Sequence, residues 1–216
     1  MNDDRDIILG RIRGALSDRP DPKLPSVPEV WPSTSPDEAT MLCQFEESLA
    51  AVQGELYHLP TMADAQAKLR ELMAEFDADT IASVDRESTR QVAEGLGDMV
   101  EFARNEWTPD DIADYKIGMI ASDYLLADTG SCMVASETVN ERLLCYLPPA
   151  CVVVARTGQL REHLPDAWRE VAERVADPEL RGEYVFITGP SRTADIEKIL
   201  ILGVHGPQRL IVLVVD

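Results

Sequence analysis

No basic stripe runs through this sequence: its 216 residues hold 39 Asp and Glu against 20 Lys and Arg, a formal net charge of −19. The excess is concentrated in residues 37–114, where 19 acids and 5 bases carry −14 of that charge. A surface of that sign repels phosphate backbones, which excludes nucleic acid as the main partner. Long apolar runs are also missing. Leu210 to Val215 and Cys151 to Ala155 are about strand length, far short of the roughly 20 residues a helix needs to cross a bilayer, so no membrane span is expected. The N-terminus, Met1-Asn2-Asp3-Asp4, is acidic and leads into mixed charge without the basic-then-apolar order of a secretory signal. A cytoplasmic protein is expected. Cysteine is scarce: Cys43, Cys132, Cys145 and Cys151 lie 89, 13 and 6 residues apart, with no Cys-x-x-Cys pair and no closely spaced histidine. Zinc and iron–sulfur spacing is therefore absent, no metal site is expected, and the four read as buried reduced thiols serving as small hydrophobes. There is no Gly-Lys-Ser or Gly-Lys-Thr of a P-loop, no Gly-x-Gly-x-x-Gly turn and no internal repeat.

What is present suits one compact domain with a tail, since 45% of residues are hydrophobic and 27% charged. Residues 4–16 place Ile7, Ile8, Ile12, Ala15 and Leu16 toward one face of a short helix. Pro20, Pro22, Pro25, Pro28, Pro32 and Pro36 then enforce an extended connector. Residues 1–34 thus form an arm. A helix this short is marginal alone in water, so its apolar face must dock on the main body or on another subunit, and a subunit contact, giving a homo-oligomer through the arm, is favoured.

The main domain, residues 35–216, is expected to begin at Ser35-Pro36-Asp37-Glu38, with Ser35 as N-cap, and to continue as a helix to about Gln53, closed by Gly54. Glu55 to Leu59 reads as a strand, and Thr61 caps a helix through Phe76 with Ala65, Leu69, Leu72, Met73 and Phe76 inward. Thr80 to Val84 reads as a strand, Ser88 to Gly95 as helical, Met99 to Ala103 as a strand and Asn105 to Asp114 as an acidic loop. Beyond it the pattern predicts strands at Lys116 to Ile120, Cys132 to Ser136, Cys151 to Ala155, Tyr184 to Thr188 and Leu210 to Val215, and helices at Ser122 to Ala127 and Leu164 to Ala176. Apolar strands alternating with amphipathic helices make the class α/β, with a mostly parallel sheet covered on both faces in three layers.

Three glycine-containing segments carry the chemistry. Asp128, Thr129, Gly130 and Ser131 set a carboxylate, two hydroxyls and a flexible residue in succession, suited either to an anion-binding loop or to a plain tight turn. Gly189, Pro190, Ser191, Arg192, Thr193, Asp195 and Glu197 follow an apolar strand; they supply donors for a carboxylate or phosphate, or alternatively a helix cap with an Arg192–Asp195 pair. Gly203, His205 and Gly206 of Gly203-Val204-His205-Gly206-Pro207 place a titratable ring between flexible residues. At the strand ends of a parallel sheet these segments would form one small-anion pocket. No nucleophilic triad or paired carboxylate is evident, so no catalytic residue is assigned.

Ala-Asp-Thr-Gly-Ser at 127–131, Leu147-Pro148-Pro149, Gly-Pro-Ser-Arg-Thr-Ala-Asp-Ile-Glu at 189–197 and Gly-Val-His-Gly-Pro at 203–207, in this order, resemble the lactate utilisation protein C family, whose members carry the LUD domain. The resemblance covers roughly residues 35–216 and is strongest from Gly118 onward. It implies a fold similar to the ribose-phosphate isomerase and CoA-transferase-like group. It further implies an accessory role in bacterial oxidation of L-lactate to pyruvate beside iron–sulfur proteins, with a small anionic ligand. Lacking cluster cysteines, the chain is expected to hold no cofactor, the clusters sitting in its partners. The alternatives are a stand-alone enzyme on a phosphorylated or CoA-linked metabolite, or a non-catalytic assembly module.

Overall fold

The computed structural model describes residues 2–17, 32, 34–175, 183–194, 200–202 and 206–216. The chain divides into two units, Met1–Pro32 and Ser33–Asp216. In the first, a single helix α1 (Asn2–Ser17) leaves Ile7, Ile8, Ile12 and Leu16 exposed. The prolines at 20–28 lie outside the described residues.

The second unit runs α2 (Glu38–Ala51), β1 (Glu55–Leu59), α3 (Met62–Glu75), β2 (Ile81–Ser83), α4 (Glu87–Glu94), β3 (Val100–Phe102), α5 (Pro109–Ala113), β4 (Ile117–Ala121), β5 (Tyr124–Leu126) and β6 (Ser131–Ser136). It continues with α6 (Val139–Leu144), β7 (Ala150–Arg156), β8 (Leu160–Arg161), α7 (Leu164–Val175), β9 (Glu183–Ile187), β10 (Arg192–Ala194), β11 (Leu200–Leu202) and β12 (Arg209–Val215). Six strands form an all-parallel sheet in the order β1-β12-β7-β4-β2-β3. A second sheet, β8-β5-β6-β9, is mixed, and β10 pairs antiparallel with β11.

The continuous apolar strands dictate a sheet buried on both faces. Alternation divides β12 between two cores: Leu210, Val212 and Val214 face one side, Ile211, Leu213 and Val215 the other, all at most 1% exposed. β7 divides likewise, with Cys151, Val153 and Ala155 against Ala150, Val152 and Val154. On one face α3 supplies Ala65, Leu69, Leu72 and Met73 and α4 supplies Val92 and Ala93. On the other, α2 (Phe45, Leu49), α5 (Ile112) and α6 (Leu143, Leu144) pack beside the second sheet. The result is three-layer α/β. Truncating a side chain such as Leu213 to Ala would cost about 2–5 kcal/mol in this setting.

Thr61 caps α3, its hydroxyl accepting from Asp64 N, as the sequence predicts. The start of α2 differs. Asp37, not Ser35, is the N-cap, its carboxylate accepting from Thr40 N at 2.8 Å, while Ser35 takes φ +52° and donates its N–H to Glu162 instead. The same helix ends at Ala51, and Gln53 at φ +67° makes the left-handed turn, not Gly54. Gly54 serves close approach: a Cβ there would stand 2.3 Å from Leu49 Cδ1. Ser122 to Ala127, expected as a helix, contains strand β5, because six residues are too few for helical periodicity to assert itself and the run pairs with both β6 and β8. α5, lying within the expected acidic loop, and the short elements α6, β8, β10 and β11 carry too little pattern to be predicted. Among the described residues no helix is long and apolar enough to cross a membrane.

Candidate functional site

Residues 127–130 form the turn of the β5–β6 hairpin. Gly130 takes φ +63°, its N–H donates to Leu126 O at 2.9 Å, and a Cβ on it would lie 2.3 Å from Leu49 N in α2. Only glycine fits there. Asp128 is turned to His163, Oδ2 to Nδ1 3.0 Å, and the other ring nitrogen lies 3.5 Å from Glu162 Oε1. Glu162 is buried, and its carboxylate accepts from Thr34 N, Thr34 Oγ1 and Ser35 N. Asp128 Oδ1 is buried with no hydrogen-bond partner among the described residues. Thr129 is exposed.

Pairing of β6 with β9 brings the first two glycine segments together across 57 residues: Ser131 and Thr188 share a hydroxyl hydrogen bond at 2.6 Å. Gly189, at φ +85°, packs on the C-cap residue of α2, with its added Cβ 2.7 Å from Val52 O, and Pro190 is buried. The third segment joins through Ser191 N, which donates to Pro207 O at 2.8 Å, and through Gly206, whose added Cβ would lie 3.0 Å from Ser191 Cβ. Between them lies a cleft of about 230 Å³ lined by Thr188, Gly189, Ser191, Gly206 and Pro207, with Tyr146, Val185 and Phe186 as its apolar wall. Arg192 opens β10 and is exposed; Thr193 follows it in that strand. Asp195, Glu197, Gly203 and His205 lie outside the described residues. Because Tyr146 precedes β7 and Pro207 precedes β12, the cleft sits at the amino ends of the parallel strands and not at their carboxyl ends.

The carboxyl ends hold a different crevice. β2 leads through α4 to β3 on one side, while β4 leads toward β7 on the other, so the chain leaves these neighbouring strands in opposite directions. Such a switch point opens a gap that α/β proteins use for ligands. Here it is a cavity of about 260 Å³ lined by Arg86, Glu87, Ser88 and Gln91 after β2, Ser122 and Asp123 after β4, and Arg156 and Gln159 after β7. Sequence reasoning missed it, since Arg86 and Arg156 are 70 residues apart and Arg156 looks like the end of an apolar run. The available signal was the polar residues that follow the apolar runs of β2, β4 and β7. A larger cavity, about 560 Å³ at the amino ends of β2 and β4, is lined by Asp77, Asp79, Asp111 and Asp114 and so repels anions.

Three of the four cysteines are core residues: Cys132, Cys145 and Cys151 are buried, and burial pushes their thiols up, Cys145 to about 12. Cys43 departs from expectation and is exposed on α2. Among the described residues no group of three or more His, Cys, Asp or Glu is arranged to hold a metal ion.

Residues 42–215 match the LUD domain family. A Bacillus pumilus (strain SAFR-032) protein named Lactate utilization protein C is 28% identical over 169 residues, spanning 72% of this chain and 70% of that one. A Shouchella clausii (strain KSM-K16) protein of the same name is 33% identical over 106 residues, 49% of this chain and 45% of its own length. Among solved structures, a DUF162 family protein from Deinococcus radiodurans superposes with a TM-score of 0.65 at 17% identity, covering 84% of this chain and 99% of the other; it shares the fold.

Proposed function

The chain belongs to the LUD domain family, and from that premise we propose that it serves bacterial oxidation of L-lactate to pyruvate in the cytoplasm as a non-redox component, working beside iron–sulfur proteins and holding a small organic acid in the cleft at Thr188–Ser191 and Gly206–Pro207. The observation that carries this reading is that Thr188–Ser191 and Gly206–Pro207 line one cleft, joined by the Ser191–Pro207 hydrogen bond, with Ser131 of the first segment bonded to Thr188 behind it. The cleft suits a short-chain acid. Its apolar wall of Tyr146, Val185 and Phe186 would take a methyl group and the Ser191 hydroxyl the carboxylate, with the exposed guanidinium of the next residue, Arg192, as the charge partner this reading assigns. Gly189 lines the cleft, Ser131 supports it through Thr188, and Asp128 anchors the hairpin to His163. With Cys132, Cys145 and Cys151 buried in the core, this reading assigns the iron–sulfur clusters to the partners.

The melting temperature of the purified chain tests this, recorded with L-lactate, pyruvate, phosphate, sugar phosphates and CoA compounds for wild type and Arg192→Ala. A ligand at 100 times its Kd stabilises by about 2.7 kcal/mol, a rise of roughly 5–11 °C for a chain this size. The reading expects that rise with L-lactate or pyruvate in wild type alone. A rise only with a sugar phosphate or CoA compound would favour a stand-alone enzyme, and none with any compound an assembly module. The apolar Ile7, Ile8, Ile12 and Leu16 carried on one short helix suit a subunit contact through the arm as well. Deleting residues 1–34 should then lower the mass seen by light scattering while the domain stays folded.

A further inference from the structure

We propose that the switch-point crevice is a second, separate anion site in which Arg156 takes a compact oxyanion, a carboxylate or a phosphate. The two arginines of the crevice differ in what already occupies them. Arg86 donates to Glu137 Oε1 at 3.0 Å, Glu141 Oε2 at 3.1 Å and Ala135 O at 3.1 Å, so its charge is matched by two carboxylates and it fastens α4 to the β6–α6 connection. Arg156 donates to Gln91 Oε1 at 2.7 Å and to the backbone oxygen of Asp216 at 3.1 Å. Among the described residues no carboxylate side chain lies within ion-pair distance of it. These contacts hold the exposed guanidinium at the carboxyl end of β7, beside the cavity it lines. A guanidinium so placed offers directed donors to a carboxylate or phosphate oxygen.

The remaining walls limit the ligand's size and charge. Asp123 and Glu87 both line the crevice, Asp123 accepting from Ala135 N at 2.7 Å and Glu87 from Gln91 Nε2 at 3.4 Å. Two carboxylates at the rim oppose polyanions such as nucleotides and leave room for a small anion of low charge. About 260 Å³ accommodates such an ion with a few waters, each about 30 Å³ in the liquid. None of these residues belongs to the three glycine segments, so the crevice stands or falls apart from the cleft.

Calorimetric titration of the full chain with inorganic phosphate, and separately with L-lactate and pyruvate, at low ionic strength tests the site. Two variants probe it differently. Arg156→Gln removes the charge, and Gln91→Glu keeps Arg156 held but supplies the carboxylate it would otherwise take from solution. Saturable binding to wild type is expected with at least one probe, and the component weakened about tenfold or more in both variants is one that Arg192→Ala leaves unchanged. A response to phosphate alone assigns a phosphoryl ligand, and one to the organic acids alone a carboxylate; either supports the site. Binding retained in both variants, binding lost only in Arg192→Ala, or no binding by any probe overturns it.

Discussion

Replacing glycines one at a time separates backbone strain from lack of space, and Gly130 is where both apply. Its φ of +63° costs an L-residue about 1–2 kcal/mol, and a Cβ 2.3 Å from the backbone nitrogen of Leu49 forces α2 away from the hairpin at about 1–3 kcal/mol more. Gly130→Ala should therefore lose about 3 kcal/mol. Gly97, at φ +58° with nothing within 4 Å, carries only the strain, so its alanine variant should lose about 1 kcal/mol. Gly118 carries only the space: an added Cβ meets Leu144 O at 2.7 Å, and about 1–3 kcal/mol is expected. Gly158 has neither constraint, and Gly158→Ala should be neutral or gain up to about 1 kcal/mol. At roughly 2–4 °C per kcal/mol, Gly130→Ala should melt about 6–12 °C below wild type and Gly158→Ala no lower than it. Urea denaturation with a constant m-value gives the energies directly. A Gly130→Ala protein that melts within 2 °C of wild type (~2), or no lower than Gly97→Ala, would refute the reading of 127–131 as a turn seated on α2.

Three further outcomes follow from named contacts. Arg209 bonds Glu55 at 2.7 and 2.8 Å and Glu75 at 2.6 Å, tying β12 to β1 and α3, so Arg209→Gln should cost about 1–2 kcal/mol after allowance for partial exposure. Arg209 holds the Glu55 carboxyl below its ordinary value of 4.5; the pair's stabilisation is thus full above that pH and lost as pH falls through the lowered value, and the gap between the two proteins in urea titrations should close in acid. Native alkylation followed by mass spectrometry should modify Cys43 alone, with Cys132, Cys145 and Cys151 reacting only after denaturation. Glu162→Ala removes the acceptor of Thr34 N, Thr34 Oγ1 and Ser35 N; hydrogen exchange at 34–35 should speed by at least tenfold (~10), with a stability loss of about 1–3 kcal/mol.

The central strands of the parallel sheet were legible because burial on both faces leaves an unbroken apolar run, as in Leu210 to Val215. Thr61 was legible for a local reason: a hydroxyl and the amide it caps are three residues apart. The end of α2 misled because Gly54, the residue type expected of a cap, instead makes room for Leu49 while Gln53 takes the turn. β5 misled because a short apolar run has no period of its own. The sites needed what a single sequence withholds, namely pairing across distance. Ser131 meets Thr188 through β6–β9 register, and Asp128 meets His163 because β5 and β8 lie side by side. Arg86 and Arg156 line one crevice only because strand order makes β7, β4 and β2 neighbours.

The most direct measurement is the rate of L-lactate-dependent acceptor reduction in an extract from cells lacking this chain, before and after the purified protein is added back. Wild type should restore the rate and Arg192→Ala should not. A rate that is unchanged by the chain's removal, or restored equally by the two proteins, would contradict a role in L-lactate oxidation through the Ser191–Arg192 cleft.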